Sequence, residues 1–298
     1  MKNREYLRLK AIVEENLIDF LPEVDHKSIT LHEAMEYSLR AGGKRLRPVL
    51  LLASCELLGM EAREALPYAC AIEYIHTYSL IHDDLPAMDN DDLRRGKPTN
   101  HKVFGEGMAV LAGDGLLSCA FEVMGKDMLL YFDDPVKLQR RVHASYEIAK
   151  GCGCRGMIGG QVADIESENK QCSKEMLDYI HLNKTAALIS AAVQAGAALA
   201  GASLSQRQSL SNFSEALGLA FQIVDDYLDV CGDEQEMGKH TGSDEKKNKS
   251  TYPALYGIEE TRRRACELLD RAEEIMAPYY DEAEVFNAIT QELRDRLK

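Results

Sequence analysis

A chain of 298 residues, 45% of them hydrophobic, is long enough for one large core or two ordinary domains, and length alone does not choose. Its 35 Lys and Arg stand against 49 Asp and Glu, a formal charge of −14. That balance excludes a generally basic surface for nucleic acid or anionic lipid, so any anionic ligand must be met locally.

Alanine-rich, proline-poor segments without sustained apolar and polar alternation predict an all-α fold. No repeat, low-complexity tract or linker divides the chain, so residues 1–298 are expected to form a single domain. The eight cysteines are scattered through apolar helical pattern, and the chain begins Met-Lys-Asn-Arg-Glu with no apolar signal region. A reduced, cytoplasmic setting is the expectation. Cys152-Gly153-Cys154 lacks a second pair at ligand spacing and is not read as a zinc site.

Residues 2–20 read as an amphipathic helix with Leu7, Ile12, Val13 and Leu17 turned inward, ended near Pro22. A second helix, from Leu31, stops at Gly42-Gly43. Lys44-Arg45-Leu46-Arg47-Pro48 then leads into the apolar run 49–58. Glycines that free the backbone, two guanidiniums, an ammonium and a proline opening the next helix suit a rigid clamp for phosphate oxygens. The plainer alternative is a charged loop complementing a helix C-terminus.

The apolar positions Ala71, Ile72, Tyr74, Ile75, Tyr78 and Ile81 predict a buried helix that runs into His82-Asp83-Asp84-Leu85-Pro86-Ala87-Met88-Asp89-Asn90-Asp91-Asp92-Leu93-Arg94-Arg95-Gly96. Carboxylates at the edge of a core cost desolvation energy unless a cation occupies them, so a divalent metal site is expected here. At about 100° per residue His76 shares a helix face with Asp83, whereas Asp89 would lie on another. Pro86 must turn the chain for Asp89 to join Asp83 and Asp84. Arg94 and Arg95 follow at a distance suited to phosphates that the metals hold.

Helices broken by Gly105, Gly107, Gly113 and Asp133-Asp134-Pro135 fill residues 100–161. Gly159-Gly160-Gln161 reads as a relaxed turn into a helix carrying Gln161 and Asp164 as polar support. Asn183-Lys184-Thr185 precedes the run 186–202, which is apolar but short and interrupted by Ser190 and Gln194. That run predicts an interior helix rather than a membrane span.

Gln222, Asp225, Asp226 and Asp229 then recur at i, i+3, i+4 and i+7, a spacing that gathers carboxylates on one helix side and calls for a shared cation. Residues 231–253 read as a loop, in which Lys239 and Lys249 are placed to close over bound phosphates. The tail, 258–298, returns to amphipathic helix.

Two aspartate clusters and scattered cations on alanine-rich helices fit a helical bundle around a central cavity holding two anionic groups. Metals on Asp83, Asp89 and Asp225 neutralise one polyphosphate and make it a leaving group. Lys44, Arg47, His76 and Arg95 hold the other.

On the motifs Gly42 to Pro48, Ser79 to Gly96, Gly159-Gly160-Gln161, Lys184-Thr185, Gln222 to Asp229 and Lys249-Ser250-Thr251-Tyr252-Pro253, the chain resembles the trans-isoprenyl diphosphate synthases, in particular their bacterial farnesyl branch. The resemblance implies an isoprenoid synthase fold, a homodimer, and no stable membrane insertion or nucleic-acid partner. It implies three Mg²⁺ ions on Asp83, Asp89 and Asp225, with Asp84 and Lys184 also catalytic. An allylic diphosphate would be gripped by Arg94, Lys184, Thr185, Gln222, Lys239 and Lys249, and isopentenyl diphosphate by Lys44, Arg47, His76 and Arg95. Tyr78, with Ser79 beside it, would stop the product at C15, although a helical wheel sets Tyr78 about 140° from Asp83.

A geranylgeranyl diphosphate synthase is the rival within the fold, and a cyclising terpene synthase is disfavoured by the second aspartate motif. From other classes come a metal phosphohydrolase built on His82-Asp83 and a non-catalytic partner subunit.

Overall fold

Helix α1 (Arg4–Asn16) starts at Asn3, whose side chain accepts the Tyr6 amide and so satisfies one of the open N–H groups of the first turn. Its inward face is Tyr6, Leu9 and Val13, with Leu17 following. Leu7 is 47% exposed, contrary to the sequence expectation, because the apolar stripe falls one residue earlier and later than the one that includes it. In the computed structural model, which describes residues 3–23, 25–168, 170, 172–232 and 251–297, the chain continues through α2 (Ile29–Leu39), α3 (Leu46–Leu57) and α4 (Leu66–Asp83). A two-residue hairpin, β1 (Leu93–Arg94) and β2 (Lys97–Pro98), comes next, then α5 (Asn100–Phe104), α6 (Glu106–Leu129), α7 (Pro135–Cys152) and α8 (Met157–Ser167).

After α9 (Lys174–Ile180) the helix widens into a π-helical segment, His181–Ala186, and runs on as α10 (Ala187–Ala200). Ser203 and Gln206 form a reciprocal cap at the start of α11 (Leu204–Cys231), the longest helix described. Then come α12 (Tyr252–Tyr256), α13 (Ile258–Met276) and α14 (Glu284–Asp295). The all-α expectation holds, and the hairpin is the departure the sequence did not predict.

The core is helix on helix. α10 lies between α3 and α7, α4 packs on α3 and α6, and α11 packs on α10 and α13. Alanine at so many α10 positions lets that helix be buried nearly all round, including Ala191, Ala192, Ala195, Ala197 and Ala198. The run 186–202 is thus the interior helix its composition suggests.

α6 is long and apolar enough to cross a membrane by length and composition, but one of its faces packs on α4. α6 and α7 also leave Val110, Leu111, Phe121, Leu129, Val136 and Val142 exposed, an unusual number of large apolar groups for two neighbouring helices.

Candidate active site

α4 brings an apolar face into the core and carries Asp83 to its last turn, where Pro86 ends it. The chain folds back as the sequence requires: the Asp89 N–H donates to the Asp83 carbonyl at 2.8 Å, and the Leu85 carbonyl accepts the Met88 and Asn90 amides. Asp83 is pushed above the ordinary carboxylate range, first by burial and further by Asp89 and Asp84, while Lys184 and Arg94 oppose the shift. A carboxylate so placed gains from a cation.

Asp84 is only 3% exposed and faces away from that role, both its oxygens lying 2.8 Å from Arg94 Nε. The hairpin that carries Arg94 turns at Arg95 (φ 55°) and Gly96 (φ 75°), so two neighbouring arginines leave in different directions. Arg94 goes to Asp84. Arg95 donates to the Gly42 carbonyl, and its guanidinium occupies the space a Cβ on Gly43 would need, 2.6 Å from Cζ.

Arg95 thereby joins the stretch between α2 and α3. Arg47 is pushed down to about 10 by burial, with Arg95 adding to the fall and Glu73 and Asp225 opposing it, and its Nε has no hydrogen-bond partner. Lys44 is lowered by burial and senses Asp225 across the bundle. His76 is held well below its usual value by burial and by Arg47, Arg95, Arg94 and Arg45. Arg47 and His76 are half-buried, Lys44 and Arg95 are exposed, and together they make a cationic cluster that suits an anion. Arg45, which the sequence placed in the same clamp, is turned inward and is 4% exposed, bound to Glu73 at 2.7 Å.

A histidine kept neutral in the fold stabilises it above pH ~6.5 and loses that contribution as pH falls and the unfolded chain takes up the proton. Ligand-free protein should therefore lose stability on acidification below pH ~6.5, and His76→Gln should lose less over the same range. Thermal denaturation in EDTA reads the difference, and equal losses in the two proteins would refute it.

The opposite wall comes from α8, the π-helical segment and α11. Gly159 and Gly160 lie inside α8, not in a turn before it. They are there for close approach, since a Cβ on Gly160 would sit 2.1 Å from the Lys184 backbone nitrogen. Lys184 Nζ is held by Asp164 at 2.6 Å, so the polar support expected of Asp164 is present. Gly160→Ala should cost about 1–3 kcal/mol or more, because backbone rather than a flexible side chain must yield. Urea denaturation measures it, and a native midpoint would mean that α8 can shift freely.

The Thr185 hydroxyl donates to Gln222 Oε1 at 2.7 Å, and Gln222 Nε2 donates to Asp226 Oδ1 at 3.0 Å. Asp226 also accepts the Tyr252 amide at 3.0 Å and lies 3.4 Å from His181 Nε2. Burial pushes Asp226 up to about 7. Asp226 and Asp229 are 4% and 3% exposed, so this acidic stripe faces the interior. His181 and Tyr252 were not foreseen as parts of the site; the one available signal was that Tyr252 stands within the Lys249 to Pro253 motif.

Tyr78 is 6% exposed, packs edge-to-face on His82 and keeps a hydroxyl without a partner. The Ser79 hydroxyl instead donates to the His76 carbonyl. His82 turns to α6, its Nε2 3.1 Å from the Val110 carbonyl, which removes the histidine that a His-Asp phosphohydrolase would require beside Asp83. Lys239 and Lys249 lie outside the described residues.

Among the described residues no three His, Cys, Asp or Glu side chains converge to chelate an ion by themselves. That fits Mg²⁺, which keeps waters and is commonly held by one or two carboxylates plus the phosphate oxygens of a substrate. Asp83 and Asp89 on one wall and Asp225 on the other are donors of the right kind, hard oxygens partly stripped of water.

The polyprenyl synthetase family matches residues 28–288. The chain is 50% identical over 249 residues to the farnesyl diphosphate synthase of Geobacillus stearothermophilus, covering 84% of this chain and 82% of that one. It is 51% identical over 263 residues to the large subunit 1 of a heterodimeric geranylgeranyl pyrophosphate synthase of Arabidopsis thaliana, covering 87% and 70%. A crystal structure of an FPP/GFPP synthase from Zymomonas mobilis superposes with a TM-score of 0.84 at 35% identity, covering 96% of each chain.

Proposed function

The chain belongs to the polyprenyl synthetase family, and from that membership we propose that this trans-prenyltransferase condenses isopentenyl diphosphate with dimethylallyl and then geranyl diphosphate, giving (2E,6E)-farnesyl diphosphate and diphosphate. The observation that carries the reading is the pairing of a half-buried carboxylate wall, Asp83 and Asp89, with a separate cluster of Lys44, Arg47, His76 and Arg95. One wall suits a metal-bound diphosphate, the other a diphosphate without metal.

Asp83, Asp89 and Asp225 would hold three Mg²⁺ ions, whose charge would neutralise the allylic diphosphate as a leaving group. Lys184, aimed by Asp164, and Thr185, aimed by Gln222, fix that diphosphate's orientation, together with Lys239 and Lys249. Asp84 anchors Arg94 beside it. The allylic C1–O bond breaks, the isopentenyl double bond attacks C1, and the departing diphosphate takes the proton lost as the new double bond forms. Residues 1–298 act as one polyprenyl synthetase domain, and the enzyme is cytoplasmic, in keeping with eight unpaired cysteines.

Purified protein with Mg²⁺, isopentenyl diphosphate and each allylic starter in turn, with product length read by mass, tests this. Phosphate release without chain extension would overturn it. A C20 product is the second reading, favoured by the 51% identity to a geranylgeranyl synthase subunit, and the same assay separates the two.

The exposed apolar side of α6 and α7 is covered by a second copy of the chain, giving a homodimer. Leu111, 54% exposed, is a central member. Leu111→Glu should sediment at the 33.2 kDa monomer mass where the unsubstituted chain sediments at twice that. A native protein that is already monomeric would end the dimer assignment.

A further inference from the structure

Beneath the cationic pocket lies a carboxylate that no motif accounts for. Glu73 is on α4, one turn before His76, and is 1% exposed. Its Oε1 accepts from Arg45 Nη1 at 2.7 Å, while Oε2 has no hydrogen-bond partner. Arg45 has a second anchor, donating from Nη2 to the Leu39 carbonyl at the end of α2, and its Nε is 3.6 Å from Glu14 on α1.

Arg45 sits at φ 56° immediately before α3, a left-handed conformation that a long side chain rarely holds without help. On its N-terminal side the Lys44 carbonyl accepts the Tyr6 hydroxyl at 2.6 Å. The backbone between Lys44 and Arg47 is therefore fixed from below by groups that do not face the pocket.

Resting on the reading that this pocket takes the diphosphate of isopentenyl diphosphate, we infer that Glu73 is its positioning residue. Through Arg45 it locks the left-handed turn that aims Lys44 and Arg47, and as a buried anion paired with Arg45 it offsets the mutual repulsion of Arg45, Arg47 and Arg95. Its charge opposes the lowering of Arg47 and Arg95 and adds to the raising of Tyr6. Without it, the buried Arg45 guanidinium would keep only Glu14, 3.6 Å from its Nε, as a counter-charge, and breaking a buried pair from one side is costly because the remaining charge is stranded.

Glu73→Gln tests this. The KM for isopentenyl diphosphate should rise by about tenfold or more, the KM for the allylic substrate and kcat at saturation should stay within about threefold, and Glu73→Asp should recover part of the loss. Calorimetric titration of isopentenyl diphosphate in EDTA, where the aspartate wall has no metal, should show the same fall in affinity. Unchanged or tighter binding in EDTA overturns the inference, as does a parallel loss in both KM values and kcat.

If Glu73→Gln does not fold, the double variant Arg45→Met with Glu73→Met, an apolar replacement of the pair, is read instead. It should fold and show the same selective loss; native affinity in EDTA overturns the inference. A wild-type chain that binds isopentenyl diphosphate in EDTA but forms no longer prenyl chain would defeat the proposed function and leave the Glu73 effect measurable.

Discussion

Asp83→Asn should lower kcat by about 10³-fold or more, roughly 4 kcal/mol of barrier, while leaving the helical content unchanged. The substitution removes a hard oxygen donor from the last turn of α4, and Asp89, though folded back by its amide to the Asp83 carbonyl, cannot replace it. Stability should move the other way. Burial, Asp89 and Asp84 all disfavour the charged form of Asp83, so at neutral pH its carboxylate works against the ligand-free fold. In EDTA the asparagine variant should melt at or above the wild-type temperature, and with Mg²⁺ and inorganic diphosphate the wild type should overtake it. Steady-state kinetics and two melting curves suffice. A variant with native kcat, or one less stable in EDTA, would contradict the assignment of Asp83 as a metal ligand.

Tyr78→Ala should shift the product from C15 to C20 and longer. The ring is nearly buried, leans on His82, and lies near Cys152 and Asp83, on the same helix as the first aspartates. Because its hydroxyl has no partner, Tyr78→Phe should keep the C15 product and cost little stability. The alanine variant, by contrast, should lose about 3–5 kcal/mol through the space it opens. Chromatography of the dephosphorylated alcohols reads the outcome, with C15 from both variants removing Tyr78 from the chain-length role.

The helical framework was legible because its signals are local. The apolar run of α4, the alanines of α10 and the i, i+3, i+4, i+7 acids of α11 each state a period and a buried side. Pro86 also announced its turn, since proline limits the backbone wherever it stands.

What was not legible depends on neighbours distant in sequence. Gly159 and Gly160 look like turn residues until Lys184 is seen against them, because a glycine for close approach and a glycine for a turn carry the same local signal. Arg45 stood with Lys44 and Arg47 as an equal member of a clamp, and only Glu73, 28 residues later, shows that it points the other way. The hairpin was missed because two-residue strands have no periodicity to read, although Arg95-Gly96 suits its tight turn. The interior placement of Asp226 needed His181 and Tyr252 beside it.

The hairpin also bears on the order of events. Arg94 and Arg95 are adjacent in sequence yet anchored apart, one on Asp84 and the other on the Gly42 carbonyl, so one short ribbon ties the end of α4 to the stretch between α2 and α3. Under the proposed roles, a substrate that draws on either arginine would shift the ribbon that carries the other. The resulting cooperativity must be reciprocal, and it would vanish in a chain whose two arginines were carried on separate loops.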